Sequence, residues 1–200
     1  MTTESAERKP ARKKEPGERR RNILEMLAAM LENPRGDKVT TSALAARLDV
    51  SEAALYRHFA SKAQMYEGLI EFIETTLFTL VNKIAADTQD GTAQAQQIVG
   101  VLLGFADKNP GMTRVLIGDA LVNEDERLQA RMNQLYDRIE AALRQALRIA
   151  QANGTWPGDA NADANVLVAF VLGRWQLFAK SGFKRSPQDG WDQQRKFLFG

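Results

Sequence analysis

One histidine, His58, and no cysteine are all that the 200 residues offer to the commonest kinds of enzyme and metal chemistry. A His–His metal pair is impossible, thiolate catalysis and cysteine-held zinc are excluded, and a Ser–His–Asp arrangement would need His58 as its base. No Gly-rich phosphate loop of the Walker or dinucleotide type is present. Carboxylate-only catalysis stays open on composition, but no pattern argues for it. The chain is expected to bind rather than to catalyse, with no cofactor and no metal.

The chemistry that remains is charge and hydrogen bonding. Lys and Arg number 27 against 25 Asp and Glu, yet the balance is +4 over residues 1–62 and −2 over residues 63–200. The excess is densest at Arg8, Lys9, Arg12, Lys13, Lys14 and Arg19 to Arg21. With Pro10, Pro16 and Gly17 interspersed and no apolar periodicity, residues 1–17 are expected to form a disordered basic arm. Such an arm either solubilises the chain or attracts a polyanion.

The sharpest pattern lies in residues 40–62. Thr40 or Thr41 can cap a short helix holding Leu44, Ala45 and Leu48, and Ser51 can cap another holding Ala54, Leu55 and Phe59. A tight turn at Asp49-Val50-Ser51 separates them, and Leu44, Ala45, Val50 and Leu55 are spaced to bury one another. That is a helix-turn-helix, whose second helix enters the major groove while the first braces it on the backbone. The small Ala45 and Ala54 let the two helices cross closely. Ser51, Glu52, Ala53 and Arg57 form the expected outer face. Arg57 can bond a guanine edge or a phosphate, and Ala53 can touch a thymine methyl. Tyr56 and Lys62 should flank phosphates, with the N–H groups at Thr41 and Ser42 anion-seeking at a helix start.

The elements that must position these groups are helical almost throughout. Ile23, Leu24, Leu27, Met30 and Leu31 follow helical spacing until Asn33-Pro34-Arg35-Gly36. Ser61 opens a long helix with Met65, Leu69, Phe72, Ile73, Leu77, Leu80 and Ile84 on one stripe, broken at Asp90-Gly91. Further helices are expected over residues 92–108, 112–117, 124–151 and 162–181, with a last segment from about Pro187. Nowhere do four residues alternate as a strand would. The expected fold is all-α with about nine helices: a helix-turn-helix domain over residues 18–64 and a larger helical domain over residues 65–200. No apolar run approaches the ~18 residues of a membrane helix, and the first 22 residues are charged. A cytoplasmic protein with no membrane partner is expected.

Leu44-Ala45, Val50, Leu55-Tyr56, His58-Phe59 and Lys62 resemble the DNA-binding signature of the TetR family. Asp49 departs from it, standing where that turn usually carries Gly at positive φ; Asp tolerates that conformation better than most side chains. Blocks downstream resemble the nucleoid occlusion branch of the same family. They include Leu103-Gly104-Phe105, Asn109-Pro110-Gly111, Arg131-Met132-Asn133-Gln134-Leu135 and Ser181-Gly182-Phe183-Lys184. The resemblance implies DNA contacts from Thr40, Thr41, Ser42, Ser51, Glu52, Ala53, Ala54, Tyr56, Arg57, His58 and Lys62, with His58 in a packing or phosphate-side role. It also implies a groove between helices 61–87 and 92–108 for the tubulin-like division protein FtsZ, using Phe72, Val101, Gly104, Lys108 and Asn109. Leu80 stands where relatives in that branch carry a basic side chain.

Helix 162–181 is apolar on more than one face, so it needs a second partner besides its own core. In a TetR-like fold that partner is the same helix of another subunit. A homodimer is therefore expected through Val166, Phe170, Val171, Arg174, Trp175 and Phe178, with help from residues 124–151. Two recognition helices about a two-fold axis should read palindromic double-stranded DNA, with half-sites about one helical turn (~34 Å) apart. Three functional readings remain open: a nucleoid-associated occlusion factor that blocks division-ring assembly, a ligand-responsive repressor, and an enzyme or effector store on a helical scaffold.

Overall fold

The computed structural model describes residues 17–33 and 39–200. The basic arm expected over residues 1–17 lies outside them save for Gly17, as do Pro34, Arg35 and Gly36 of the first expected break. Within them the chain is all helical. The helices are α1 (Glu18–Leu31), α2 (Thr41–Arg47), α3 (Glu52–Tyr56), α4 (Lys62–Asp87) and α5 (Gly91–Lys108). They continue with α6 (Pro110–Leu116), a 3₁₀ turn (Asp119–Leu121), α7 (Glu126–Ala152), α8 (Ala160–Lys180) and α9 (Trp191–Phe199). None of the described helices is long and apolar enough to cross a membrane.

Short polar side chains set where the helices begin. Thr40, Ser51 and Ser61 accept from the amides of Ala43, Ala54 and Gln64, starting α2, α3 and α4. Asp90, Asp125 and Asp159 do the same for α5, α7 and α8, where a carboxylate also suits the positive end of the helix dipole.

Apolar spacing then decides what packs. Ile23, Leu27 and Leu31 of α1 turn towards α4 and α6, and the stripe Met65, Leu69, Ile73, Leu77 and Val81 buries α4 against α5 and α7. The stripe is narrower than the sequence pattern suggests, because Phe72 and Leu80 point outward. α7 offers Leu128, Met132, Leu135, Ile139, Leu143 and Leu147 to α5 and α8.

Two glycines mark the closest approaches. A Cβ at Gly91 would lie 2.2 Å from the Ala146 carbonyl, so α5 starts directly against α7. A Cβ at Gly111 would lie 1.9 Å from the Ala28 carbonyl, so α6 meets α1 backbone to backbone. This second contact seats the helix-turn-helix end on the body.

Candidate nucleic-acid interface and partner groove

α2 and α3 cross with Leu44, Ala45 and Leu55 buried between them. Asp49 makes the turn at φ 53°, the left-handed conformation for which a glycine is usual. The outer face carries Ser51, Glu52, Ala53, Tyr56 and Arg57, all exposed. Glu52 is held in place by the Thr41 hydroxyl, which donates to its Oε2 at 2.8 Å, while the Tyr56 hydroxyl donates to Thr41 Oγ1 at 3.5 Å. This network joins the start of α2 to the face of α3. Thr40 and Ser42 stand exposed beside it, their hydroxyls 3.1 Å apart.

Ala54 and Lys62 sit differently from the expected DNA contacts, while His58 takes a packing position that the resemblance allowed. Ala54 and His58 line a small hollow of about 110 Å³ against Arg19, Asn22 and Ile23 of α1, so they turn inward. Lys62 is no free cation either. Its ammonium donates to Glu124 Oε1 at 2.5 Å and lies 5.6 Å from the Tyr66 ring centre, in a half-buried junction between the start of α4 and the segment before α7. A desolvated cation takes the nearest carboxylate, and no local sequence signal points to one 62 positions away. Burial, together with the charge of Glu124, pushes the Tyr66 hydroxyl up to about 12. Arg20 was also missed. It donates to the His58 carbonyl at 2.6 Å and stacks 4.2 Å over Phe59, bolting α1 to the residues after α3.

At the other end of α4 lies an open groove of about 520 Å³. Val101, Gly104, Lys108 and Asn109 line it together. Phe72 does not; it is 46% exposed on α4, before the residues of that helix that do. Leu80 and Ile84 form the α4 wall, and Gly100, with Gly104 one turn on, hollows the α5 wall. The i, i+4 glycine pair was the available signal for that hollow. Gln188, arriving from the α8–α9 connection, had none.

The expected subunit interface needs correction. Val171, Trp175 and Phe178 belong to the core of this chain. Trp175 is fully buried with Nε1 donating to the Leu102 carbonyl at 3.0 Å, and Phe178 packs edge-on against Phe183 at 5.2 Å. Arg174 is turned onto carbonyls of the α8–α9 connection. Phe170 is half-buried beside Trp191. Of the six, Val166 alone stands open, at 55% exposure. The outward stripe of α8 is Ala162, Val166, Ala169, Gly173 and Leu177, a smooth apolar face at helical spacing.

Ion pairs fasten α7 to α4. Arg131 bonds Glu74 at 2.8 Å, which raises the guanidinium pKa further, and Arg127 reaches Glu67. Behind α6, burial pushes the Asp119 carboxyl up, but hydrogen bonds from Arg114 and Lys180 outweigh it and hold it below the usual range. Among the described residues no cluster of His, Asp or Glu could hold a metal ion.

The family description "Bacterial regulatory proteins, tetR family" matches residues 36–69, and "Tetracyclin repressor-like, C-terminal domain", of the SlmA-like kind, matches residues 89–200. The nucleoid occlusion factor SlmA of Alteromonas mediterranea is 48% identical over 178 residues, covering 88% of this chain and 91% of that protein. The same factor from Escherichia fergusonii is 49% identical, covering 87% and 89%. Among solved structures, the TetR family transcriptional regulator PfmR from Thermus thermophilus shares the fold, with a TM-score of 0.73 at 19% identity over 88% of this chain and 96% of that one. These relatives are regulators and occlusion factors rather than enzymes. Matched at both ends and nearly half identical along most of its length, the chain belongs to the SlmA family of TetR-type nucleoid occlusion factors.

Proposed function

We propose that this chain is a nucleoid-associated occlusion factor: a homodimer that binds palindromic DNA and, from the chromosome, engages FtsZ and blocks division-ring assembly. The observation that carries the reading is the placement of two recognition surfaces on one long helix. α4 begins at the helix-turn-helix and ends as a wall of the groove. Family membership supports both halves.

On DNA, Arg57 and Ala53 contact base edges, Glu52 accepts from a cytosine amine, and Thr40, Thr41, Ser42, Ser51 and Tyr56 hold phosphates. Ala54, His58 and Lys62 contribute by packing. Dimerisation uses the α8 stripe from Ala162 to Leu177, whose small residues let two helices meet closely.

The groove takes a segment of FtsZ. Leu80, Val101 and Phe105 supply apolar contact, Gly104 permits close approach, and Lys108 offers a cation to an acidic residue. Phe72 lies beyond the hollow as an exposed apolar contact for the same partner. An open groove suits a chain segment better than a small effector, which needs most of its surface enclosed. The ligand-responsive repressor reading therefore has less support.

A ternary complex of protein, palindromic duplex and FtsZ tests the reading by analytical ultracentrifugation. Lys108→Glu should abolish FtsZ co-sedimentation and leave DNA affinity intact, whereas Arg57→Ala should weaken the duplex by about 1–3 kcal/mol and leave the groove intact. If Lys108→Glu and Phe72→Ala both bind FtsZ normally, the groove assignment fails.

A further inference from the structure

The groove has a third wall that α4 and α5 do not supply. Arg174 Nε donates to the Pro187 carbonyl at 3.0 Å, and its Nη2 donates to those of Ser186 at 3.0 Å and Asp189 at 2.8 Å. Asp107, near the end of α5, grips the same connection from the other side. Its Oδ1 accepts from the Ser186 hydroxyl at 2.7 Å and its Oδ2 from the Gln188 amide at 3.2 Å. The Gln188 main-chain N–H closes the arrangement on Ser186 Oγ at 3.1 Å.

A planar guanidinium matched to three carbonyls fixes a backbone turn as a lysine cannot. With Nε2 bonded to Asp107, the Gln188 side-chain amide lies over Gly104, its Oε1 slightly the nearer atom. That oxygen lies 3.6 Å from where a Cβ of Gly104 would stand.

We propose that Gln188 is a partner-binding residue of the groove. Its Oε1 accepts from a main-chain N–H of an extended partner segment laid along the groove beside it, and Arg174 and Asp107 are its positioning residues. The proposal rests on the groove assignment made above. An extended segment carries unpaired N–H and C=O groups, and a helical protein has no sheet edge to offer them. Side-chain amides are the groups that substitute, since each presents both a donor and an acceptor. Gln188 is one of three that line the hollow, with Gln97 and Asn109, beside an apolar floor. A glutamine already held by its neighbours also loses less rotamer freedom on binding than a free one.

The test is calorimetric titration of FtsZ into the full-length, DNA-bound protein. Gln188→Ala should weaken FtsZ about fivefold, the loss of one neutral hydrogen bond, with DNA affinity and thermal midpoint unchanged. Arg174→Lys should give a similar loss together with faster amide exchange at Gln188 and Asp189. In that background Gln188→Ala should add little, because the acceptor is already unfixed. Should Arg174→Lys fail to fold, Asp107→Ala takes its place in the cycle. Normal FtsZ affinity in Gln188→Ala, beside a lost one in Lys108→Glu, overturns the proposal and leaves the groove standing. Normal affinity in Lys108→Glu and Phe72→Ala removes the groove assignment and this inference with it.

Discussion

The helix-turn-helix gathers its surface from consecutive residues, whereas the groove joins Leu80, Val101 and Gln188 from three distant stretches of chain. The first needs only two caps, one left-handed turn and a few buried apolar contacts to present its outer face. The second exists only once α4, α5 and the α8–α9 connection have packed. A local device tolerates change around it, while an assembled one inherits the stability of the whole body.

Identical truncations in the two regions give the largest expected contrast. Leu102 and Leu55 are both buried, at 0% and 1% exposure. Leu102→Ala should cost about 3–5 kcal/mol and lower the global unfolding midpoint. Leu55→Ala should cost about 2–3 kcal/mol, read mainly as faster amide exchange in α2 and α3 with the body still protected. Equal loss of protection everywhere would show one cooperative unit instead of two.

Next in size is the joint between the regions. Gly111→Ala drives a methyl into the Ala28 carbonyl, which is backbone and cannot step aside. It should cost about 2–3 kcal/mol and weaken DNA binding more than FtsZ binding, since α1 is displaced first. Retention of full DNA affinity would mean that α1 does not depend on α6 for its seat.

Alkaline titration affects the two regions alike. Burial pushes the hydroxyls of Tyr66, at the joint, and Tyr136, within the body, up to about 12. In the unfolded chain they ionise near 10, so the folded state holds more protons in between. Their stabilisation is complete below pH 10 and is lost as pH rises through about 12, at about 2–3 kcal/mol each. Unfolding monitored by circular dichroism across that window checks the sign; stability rising there would contradict it. The smallest effect belongs to Asp49→Gly, which relieves a left-handed side chain and should stabilise by roughly 0.5–1 kcal/mol, measured by thermal melting.

The same contrast explains what the sequence disclosed. Caps at Thr40, Ser51 and Ser61 are local chemistry, so the helix starts around the DNA face were readable directly. The ends of α7 and α8 fall within two residues of the pattern-based limits, because long periodic runs announce themselves. Which face of a helix meets which neighbour is not local. α8 is apolar on several sides, so spacing alone could not tell core residues such as Trp175 from the outward Val166. On α4, Phe72 and Leu80 extend the apolar stripe in sequence and leave it in space. Lys62 carries a signature residue's identity while its charge is satisfied by Glu124.

The 26 residues of α4 run without a break for about 39 Å, a stiff rod packed along the Met65–Val81 stripe and also tied near its middle by the Arg131–Glu74 pair. A rigid rod pivoting there moves its two ends in opposite senses. A tilt of about 5° displaces each tip by roughly 1.5–2 Å, enough to misalign a hydrogen bond at a base edge. Under the proposed function, an occupant that wedges the Leu80 end would exert torque on the duplex-reading end, and the half-site spacing the protein prefers would report what sits in its distant cleft.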